Sequence, residues 1–408
     1  MRNSKKVRRY DIDWLRVMAT FQIFLLHVTG IFIYGWYPIK NNHLSLEMTT
    51  LASFLALWPM PLFFILSGAG TYYALVFRKP NQFIQERIKR ILIPFIFGIF
   101  VIIPPQVYIE RLTNYQFSGN FLQFYPRYFE GIYGSGGNFS LFGHHLWYLL
   151  ILFIYSLITL PLLIHLRKAT GKKTISKLAA FFEKPWAFLL PAIPFIILEI
   201  ILNPIGLGTE QFGIFGGWNF FAYILFFIYG YLIFSNSKFQ HIMQRYWKIS
   251  LILGVITSAL VLFFTYFWLQ VEIFGRAFTN LFVNIPVYGA SGEGLLIFFL
   301  IIGALFWILR CFSAWFWIVA ILGLSGIYLN RNHKFLKYAN EAVLPFYILH
   351  LTVIVVIGFY IVQWNVGMAE KSILISAISL AVILAIYNLV IRPFNVMRFL
   401  FGMKSKKT

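Results

Sequence analysis

Along this chain the apolar positions gather into stretches close to 20 residues long, the length at which an α-helix crosses a hydrocarbon core of ~30 Å. They occupy residues 14–36, 51–77, 91–109, 146–166, 186–202, 218–234, 249–270, 343–362 and 372–391. The region 294–329 is longer. As one helix it would extend about 54 Å, and as two it would need residues 310–313 to make a tight turn. The basic residues decide between these readings. With a single crossing there the chain passes ten times, and 28 of its 34 Lys and Arg fall on the N-terminal side, five on the other, with Arg310 between. Because short cytoplasmic loops retain Lys and Arg, the pattern predicts an all-α polytopic membrane protein, a bundle of about ten transmembrane helices with both termini cytoplasmic. Part of 294–329 is then expected to be re-entrant, tilted or interfacial.

Polar positions inside the apolar stretches are few, and the first stretch holds the most telling ones. Arg16 and His27 are eleven residues apart. At ~100° per residue eleven steps return to within ~20° of the starting direction, so both side chains share one helix face about 16 Å apart along the axis. Asp13, Thr20 and Tyr34 lie near the same stripe. A charged group at membrane depth costs roughly 2.5 kcal/mol or more unless it faces a bundle interior or a wet cavity, so the stripe is expected to look inward. The plainer alternative is a histidine that packs between helices and an arginine that snorkels to the headgroups.

Composition agrees with the pattern. The chain is 60% hydrophobic and 12% charged, against ~25% charged for a soluble domain. Lys and Arg outnumber Asp and Glu 34 to 13, which in a soluble chain would suggest nucleic acid; here the excess lies in short loops and reads as topology. The lone Cys311 excludes an intramolecular disulfide, and no Cys and His spacing suits a metal. Lys5, Lys6, Arg8 and Arg9 precede the first stretch like a signal-peptide n-region, but the stretch is too long for an h-region and lacks small residues for cleavage, so it is expected to remain as an anchor. The outer loop 110–145 mixes Gly131, Gly134, Gly136 and Gly137 with Tyr115, Tyr125, Tyr128 and Tyr133, suiting either a carbohydrate-facing surface or an interfacial aromatic belt. No internal repeat or appended soluble domain is evident, so residues 1–408 read as one integral-membrane domain.

Four further groups are candidates for chemistry. Arg87 and Arg90, three residues apart at a membrane boundary, could clamp phosphates with their guanidinium forks; the plain reading is positive-inside charge. His144, His145 and Trp147 mark the outer mouth of the fourth stretch and line an acceptor cavity or a wet interface. Tyr347 and His350, one turn apart, put a second titratable group about 10 Å inside the cytoplasmic boundary, or a histidine that simply bonds a neighbouring helix. Glu199 is expected to point into headgroup water.

Taken together these residues resemble acyltransferase family 3. Its opening pattern is matched by Asp13, Arg16 and His27, its second-span pattern by Phe63, Phe64, Ser67 and Gly68, and its arginine pair before the third span by Arg87 and Arg90. The segments around Trp315 and around Tyr347 and His350 are similar to the branch containing glucan biosynthesis protein C. The resemblance covers essentially the whole chain. It implies an O-acyltransferase of the bacterial cytoplasmic membrane that moves an acetyl or succinyl group from cytoplasmic acyl-CoA, a co-substrate, to a hydroxyl of an extracytoplasmic glycan, with no resident cofactor or metal. His27 is then the general base, Arg16 with Asp13 holds the donor end, Arg87, Arg90, Tyr347 and His350 bind acyl-CoA, and His144, His145 and Trp147 face the acceptor. The bottom-up chemistry agrees: a sugar hydroxyl needs a base, and histidine is poised for that at neutral pH. The rival classes are a glycan or lipid-linked sugar transporter, against which stands the lack of repeated halves, and a non-catalytic partner of a glycan synthase, for which the Arg and His stripe has no use.

The topology is open to a direct check. In a Cys311→Ser background, single cysteines within 172–184 and in the C-terminal tail are expected to resist a membrane-impermeant thiol reagent in intact cells, while one within 131–137 reacts. Labelling of the tail alone among the first two would mean that 294–329 crosses twice.

Overall fold

The computed structural model describes residues 8–203, 217–281 and 292–406. Among these the regular structure is helical, and the sole β feature is an isolated bridge between Ile132 and Phe139. Besides a short helix in the outer loop, Phe121–Arg127, the helices are α1 (Tyr10–Phe32), α2 (Leu46–Phe77), α3 (Pro80–Thr113), α4 (His144–Ile158, continued by Leu160–Arg167), α5 (Ala169–Phe182, continued by Ala187–Leu202), α6 (Phe220–Ser235), α7 (Ser237–Leu281), α8 (Gly292–Tyr328), α9 (Lys334–Ile361), α10 (Met368–Ile391) and a short α11 (Asn395–Leu400). Seven described helices are long and apolar enough to cross a membrane, and nine if α4 and α5, bent by 50° and 116°, each count as one span. The protein is a multi-pass membrane protein.

Two elements depart from the sequence expectation. Helix α6 has 16 residues, about 24 Å, just short of the ~17–25 residues that span a bilayer. The Asn219 side chain caps its start by accepting from the Ala222 amide, and extended backbone at Asn236 ends it. Residues 294–328, in turn, belong to the single continuous helix α8: there is no turn at Arg310, in agreement with the single crossing that the basic residues favour, and the departure is that no part of it is re-entrant. The Ser313 hydroxyl, at the position of the supposed turn, meets Ser258 of α7 at 2.8 Å, and the Trp317 indole donates to the same Ser258. A helix of 37 residues runs about 56 Å, so α8 and its long neighbour α7 exceed the hydrocarbon thickness.

Hydrogen bonds gather the basic segments at one end of the bundle. Arg9 reaches Gln240, the Tyr10 amide donates to Asn330, the Trp14 indole donates to the Arg331 carbonyl, and Lys238 pairs with Glu183 at 2.7 Å. The first half of α5 belongs there too, burying Gly171, Ile175 and Ala179 while Lys172, Lys173 and Lys177 stay exposed. At the other end the buried Lys371 ammonium donates to Asn41 and to the Val362 carbonyl. The two ends are therefore those that the charge pattern separates.

Close helix contact in an apolar medium rests on small residues that let backbones approach. Helices α2 and α6 cross on Gly68 and Gly230: a Cβ at Gly68 would run into the Phe227 carbonyl oxygen, and one at Gly230 into the Ile65 backbone. Since overpacking a filled interior costs typically about 1–3 kcal/mol and backbone cannot move aside as a side chain can, Gly230→Leu is expected to lower the midpoint of thermal denaturation in detergent. A leucine on the lipid face, such as Ile252→Leu, serves as the comparison and should leave the midpoint in place.

Candidate active site

On α1 the polar stripe faces its neighbours. Arg16 lies across α2, donating weakly to the Leu66 carbonyl at 3.4 Å and passing over Gly70, where a Cβ would sit 3.0 Å from the guanidinium. Asp13 stands 3.8 Å from Arg16 and takes a closer ion pair of 2.7 Å from Arg8. Arg16 opens onto a cavity of about 570 Å³ at the basic end, shared with Arg78, Arg87, Arg90, Arg398 and Lys404. Its two carboxylates already have cationic partners: Glu86 pairs with Arg78 at 3.0 Å and Glu341 with Arg398 at 2.8 Å. Arg87 donates to the Thr71 hydroxyl and rests on the Phe83 face, and among the described residues the Arg90 guanidinium makes no hydrogen bond or ion pair. A π-turn at Ile88–Leu92, a distortion common at functional sites, carries the chain from one arginine to the next. Arg87 and Arg90 thus both line the cavity while its two carboxylates are paired with other arginines.

The same cavity is lined by Phe63, Ser67, Tyr148 and Tyr347. The Tyr148 hydroxyl meets Ser67 at 2.6 Å, its ring lies 5.8 Å from that of Tyr347, and the Tyr347 hydroxyl donates to the His145 carbonyl. Directly beyond stand three histidines. The His350 ring is 5.6 Å from Tyr347, 5.1 Å from His27 and 5.0 Å from His145. The sequence reading places His350 about 10 Å inside the boundary and His27 deeper. Helix α9, however, begins at Lys334, so His350 is 16 residues into α9 as His27 is 17 residues into α1, each about 25 Å from the basic end. His145 comes down to the same level from the opposite end, in the 3-10 turn that opens α4.

Helix α3 explains why His145 is held so firmly. A π-turn at Gly98–Ile102 and the imino acids Pro104 and Pro105 leave several of its carbonyls without a helical donor. Tyr128 takes that of Ile99, Tyr125 that of Phe100 and Thr352 of α9 that of Ile102. Gln106 then spreads its two amide protons between the Thr352 hydroxyl at 2.6 Å and His145 Nδ1 at 3.3 Å, and His145 Nε2 reaches the Ile348 carbonyl at 3.0 Å. A carbonyl only accepts, so His145 carries its proton on Nε2.

The remaining sequence candidates lie elsewhere. His144 turns away from His145: its Nδ1 meets Ser140 at 2.9 Å and its ring lies 4.3 Å from Tyr133, whose hydroxyl donates to both oxygens of Glu110. Burial and the Glu110 charge push the Tyr133 phenol up, which keeps it a donor. Trp147 packs inside the bundle on Phe64 and Tyr223. Glu199 does not point to headgroup water: it is fully buried and accepts from Asn203 and Asn219. Sequence reasoning missed Gln106 and Thr352, whose only signal was a polar side chain in an apolar run, and it counted Arg398 as tail charge.

A helical membrane bundle with an arginine-walled cavity at one end and clustered imidazoles in its interior suits transfer chemistry on an anionic substrate. The chain belongs to acyltransferase family 3: the family model described as "Acyltransferase domain" matches residues 9–391, so the protein is a membrane acyltransferase. Neither the curated proteins nor the solved structures hold a match to it.

The C-terminal segment is a wall of the cavity. Arg398 is buried, donates to Glu341 and to the Lys404 and Arg392 carbonyls, and Gly402, at φ +69°, brings the chain against the Arg90 carbonyl. Removing a buried donor costs about 1–3 kcal/mol through the acceptors left unpaired. Arg398→Ala is therefore expected to free the tail, seen as faster tryptic cleavage after Lys404 with the bundle still intact.

Proposed function

We propose that the protein transfers an acetyl or succinyl group from cytoplasmic acyl-CoA to a hydroxyl of an extracytoplasmic glycan in the bacterial cytoplasmic membrane, with His27 as general base. The observation that supports this reading is the alignment of an arginine-lined cavity at the basic end with a histidine cluster deep in the bundle. Arg87 and Arg90, with Arg16 further in, are placed to hold the phosphates and diphosphate of coenzyme A. From Arg16 to His27 the α1 stripe rises about 16 Å, comparable with an extended pantetheine arm, and that route passes Tyr148 and Tyr347. The acceptor then arrives from the end bearing the 110–145 loop, where His144 lies, and reaches His145 at the depth of His27, while Trp147, packed on Phe64 and Tyr223, supports that wall.

In this reading His27 removes the hydroxyl proton as the oxygen attacks the thioester carbonyl. The C–O bond forms, the C–S bond breaks, and the proton passes from His27 to the departing thiolate. His27 suits the role because its ring keeps some accessible surface, whereas His145 and His350 are buried. Asp13 and Arg16 hold the donor end in register.

The test uses membranes carrying the protein, labelled acetyl-CoA or succinyl-CoA, and the surface polysaccharide fraction of the producing cells. His27→Ala should insert normally and lose about 10²- to 10⁴-fold in transfer. Arg87→Ala and Arg90→Ala should raise the KM for acyl-CoA more than that for the acceptor, with Lys rescuing poorly because it lacks the fork. Near-normal transfer by His27→Ala would remove the assignment.

A further inference from the structure

The proposed transfer leaves one buried group unused. His350 is 1% exposed, its Nδ1 lies 2.6 Å from the Tyr347 carbonyl, and its Nε2 has no partner among the described residues. Since a carbonyl only accepts, the proton of His350 is on Nδ1 and Nε2 presents a lone pair. A buried acceptor without a donor costs free energy, so a donor at this point would be favoured. His145 cannot supply one: its single proton goes to Ile348 and its other nitrogen accepts from Gln106. It stands edge-on to His350, at an interplanar angle of 88°, and walls that side. Phe346 lies parallel to the ring on another.

The side left open is that of His27. Two imidazoles joined by a direct N–H···N bond of ~2.9 Å, each ring reaching ~1.2 Å from its centre, have centres about 5 Å apart, and those of His27 and His350 are 5.1 Å apart. No hydrogen bond joins the two rings as they stand, tilted 49° to one another, so the pairing requires the His27 ring to turn toward His350 Nε2.

We propose that His350 is a positioning residue for the base: its Nε2 accepts the N–H of His27, so that the other nitrogen of His27 presents its lone pair to the acceptor hydroxyl, and the Tyr347 carbonyl, Gln106 and His145 exist to keep His350 in that tautomer. This rests on His27 as general base and differs from the donor-binding role that the sequence suggests for His350. During attack the hydroxyl proton goes to the free nitrogen of His27 while its other N–H shares its proton with His350 Nε2. As the C–S bond breaks, that sharing reverses and His27 delivers one proton to the sulfur, leaving both rings neutral.

The experiment compares His350→Leu with His350→Gln, whose side-chain oxygen still accepts, using the same labelled donors and polysaccharide fraction. Loss of the partner that orients a metal-bound histidine typically costs about 10- to 100-fold, and the same order is expected for the partner that orients a histidine base. His350→Leu should lower kcat by that factor with the acyl-CoA KM unchanged, and His350→Gln should recover most of it. A raised acyl-CoA KM at unchanged kcat, or equal loss in both variants, overturns the proposal. If His27→Ala still transfers, the base assignment falls and this proposal with it; if His27→Ala is inactive while His350→Leu keeps its kcat, the base stands and only the pairing is refuted. Should His350→Leu fail to insert, ¹⁵N imidazole spectra of the wild type decide: a protonated Nδ1 on His350 is expected, and an Nε2–H tautomer refutes it.

Discussion

In hydrocarbon every backbone polar group must find its partner within the protein, and this requirement ties the architecture to the site. Helix α3 interrupts its own ladder in its second half by a π-turn and by two prolines, and the carbonyls so freed draw in Tyr125, Tyr128 and Thr352. Thr352 in turn fixes Gln106, and Gln106 fixes the ring of His145. A local irregularity in one helix thus sets the tautomer of a histidine on another. The glycine crossing of α2 and α6 acts at the same level, for it holds Ser67 and the Tyr148 hydroxyl in the cavity lining.

Electrostatics divides the bundle along its length. The basic end satisfies its carboxylates internally, through Arg78 with Glu86 and Arg398 with Glu341, and leaves Arg87 and Arg90 facing open volume. Deeper in, formal charge gives way to imidazoles, phenols and a glutamine, groups that a dry interior tolerates more readily than ions. The C-terminal segment belongs to this scheme as a cavity wall, which makes Arg398 part of the packed structure as well as of the charge pattern.

Much of the architecture was legible in the chain because hydrophobic length and charge placement act locally. The apolar stretches, the segregation of Lys and Arg and the inward face shared by Arg16 and His27 all follow from the length and angular repeat of a helix. Boundaries were read less well. Taking Val343 as the start of a span ignored the two and a half turns of α9 that precede it, and this placed His350 too shallow. The long run 294–329 left one or two crossings open by length, the basic residues favoured one, and the helix indeed continues past Arg310, where α7 offers Ser258 to Ser313.

Which residues belong to one site was decided by tertiary structure. Sequence assigned His27 to catalysis, His350 to the donor and His145 to the acceptor, whereas the fold brings the rings of His27 and His145 each to about 5 Å from that of His350. It also parts the neighbours His144 and His145, where positive φ at Gly143 and His144 turns the chain at the start of α4. Glu199, expected in headgroup water, is buried against Asn203 and Asn219. The chain by itself determined that polar groups at membrane depth must face inward, since lipid gives them no partner. Which partner each one meets depends on the relative depth and rotation of helices far apart in sequence, and only their packing sets that.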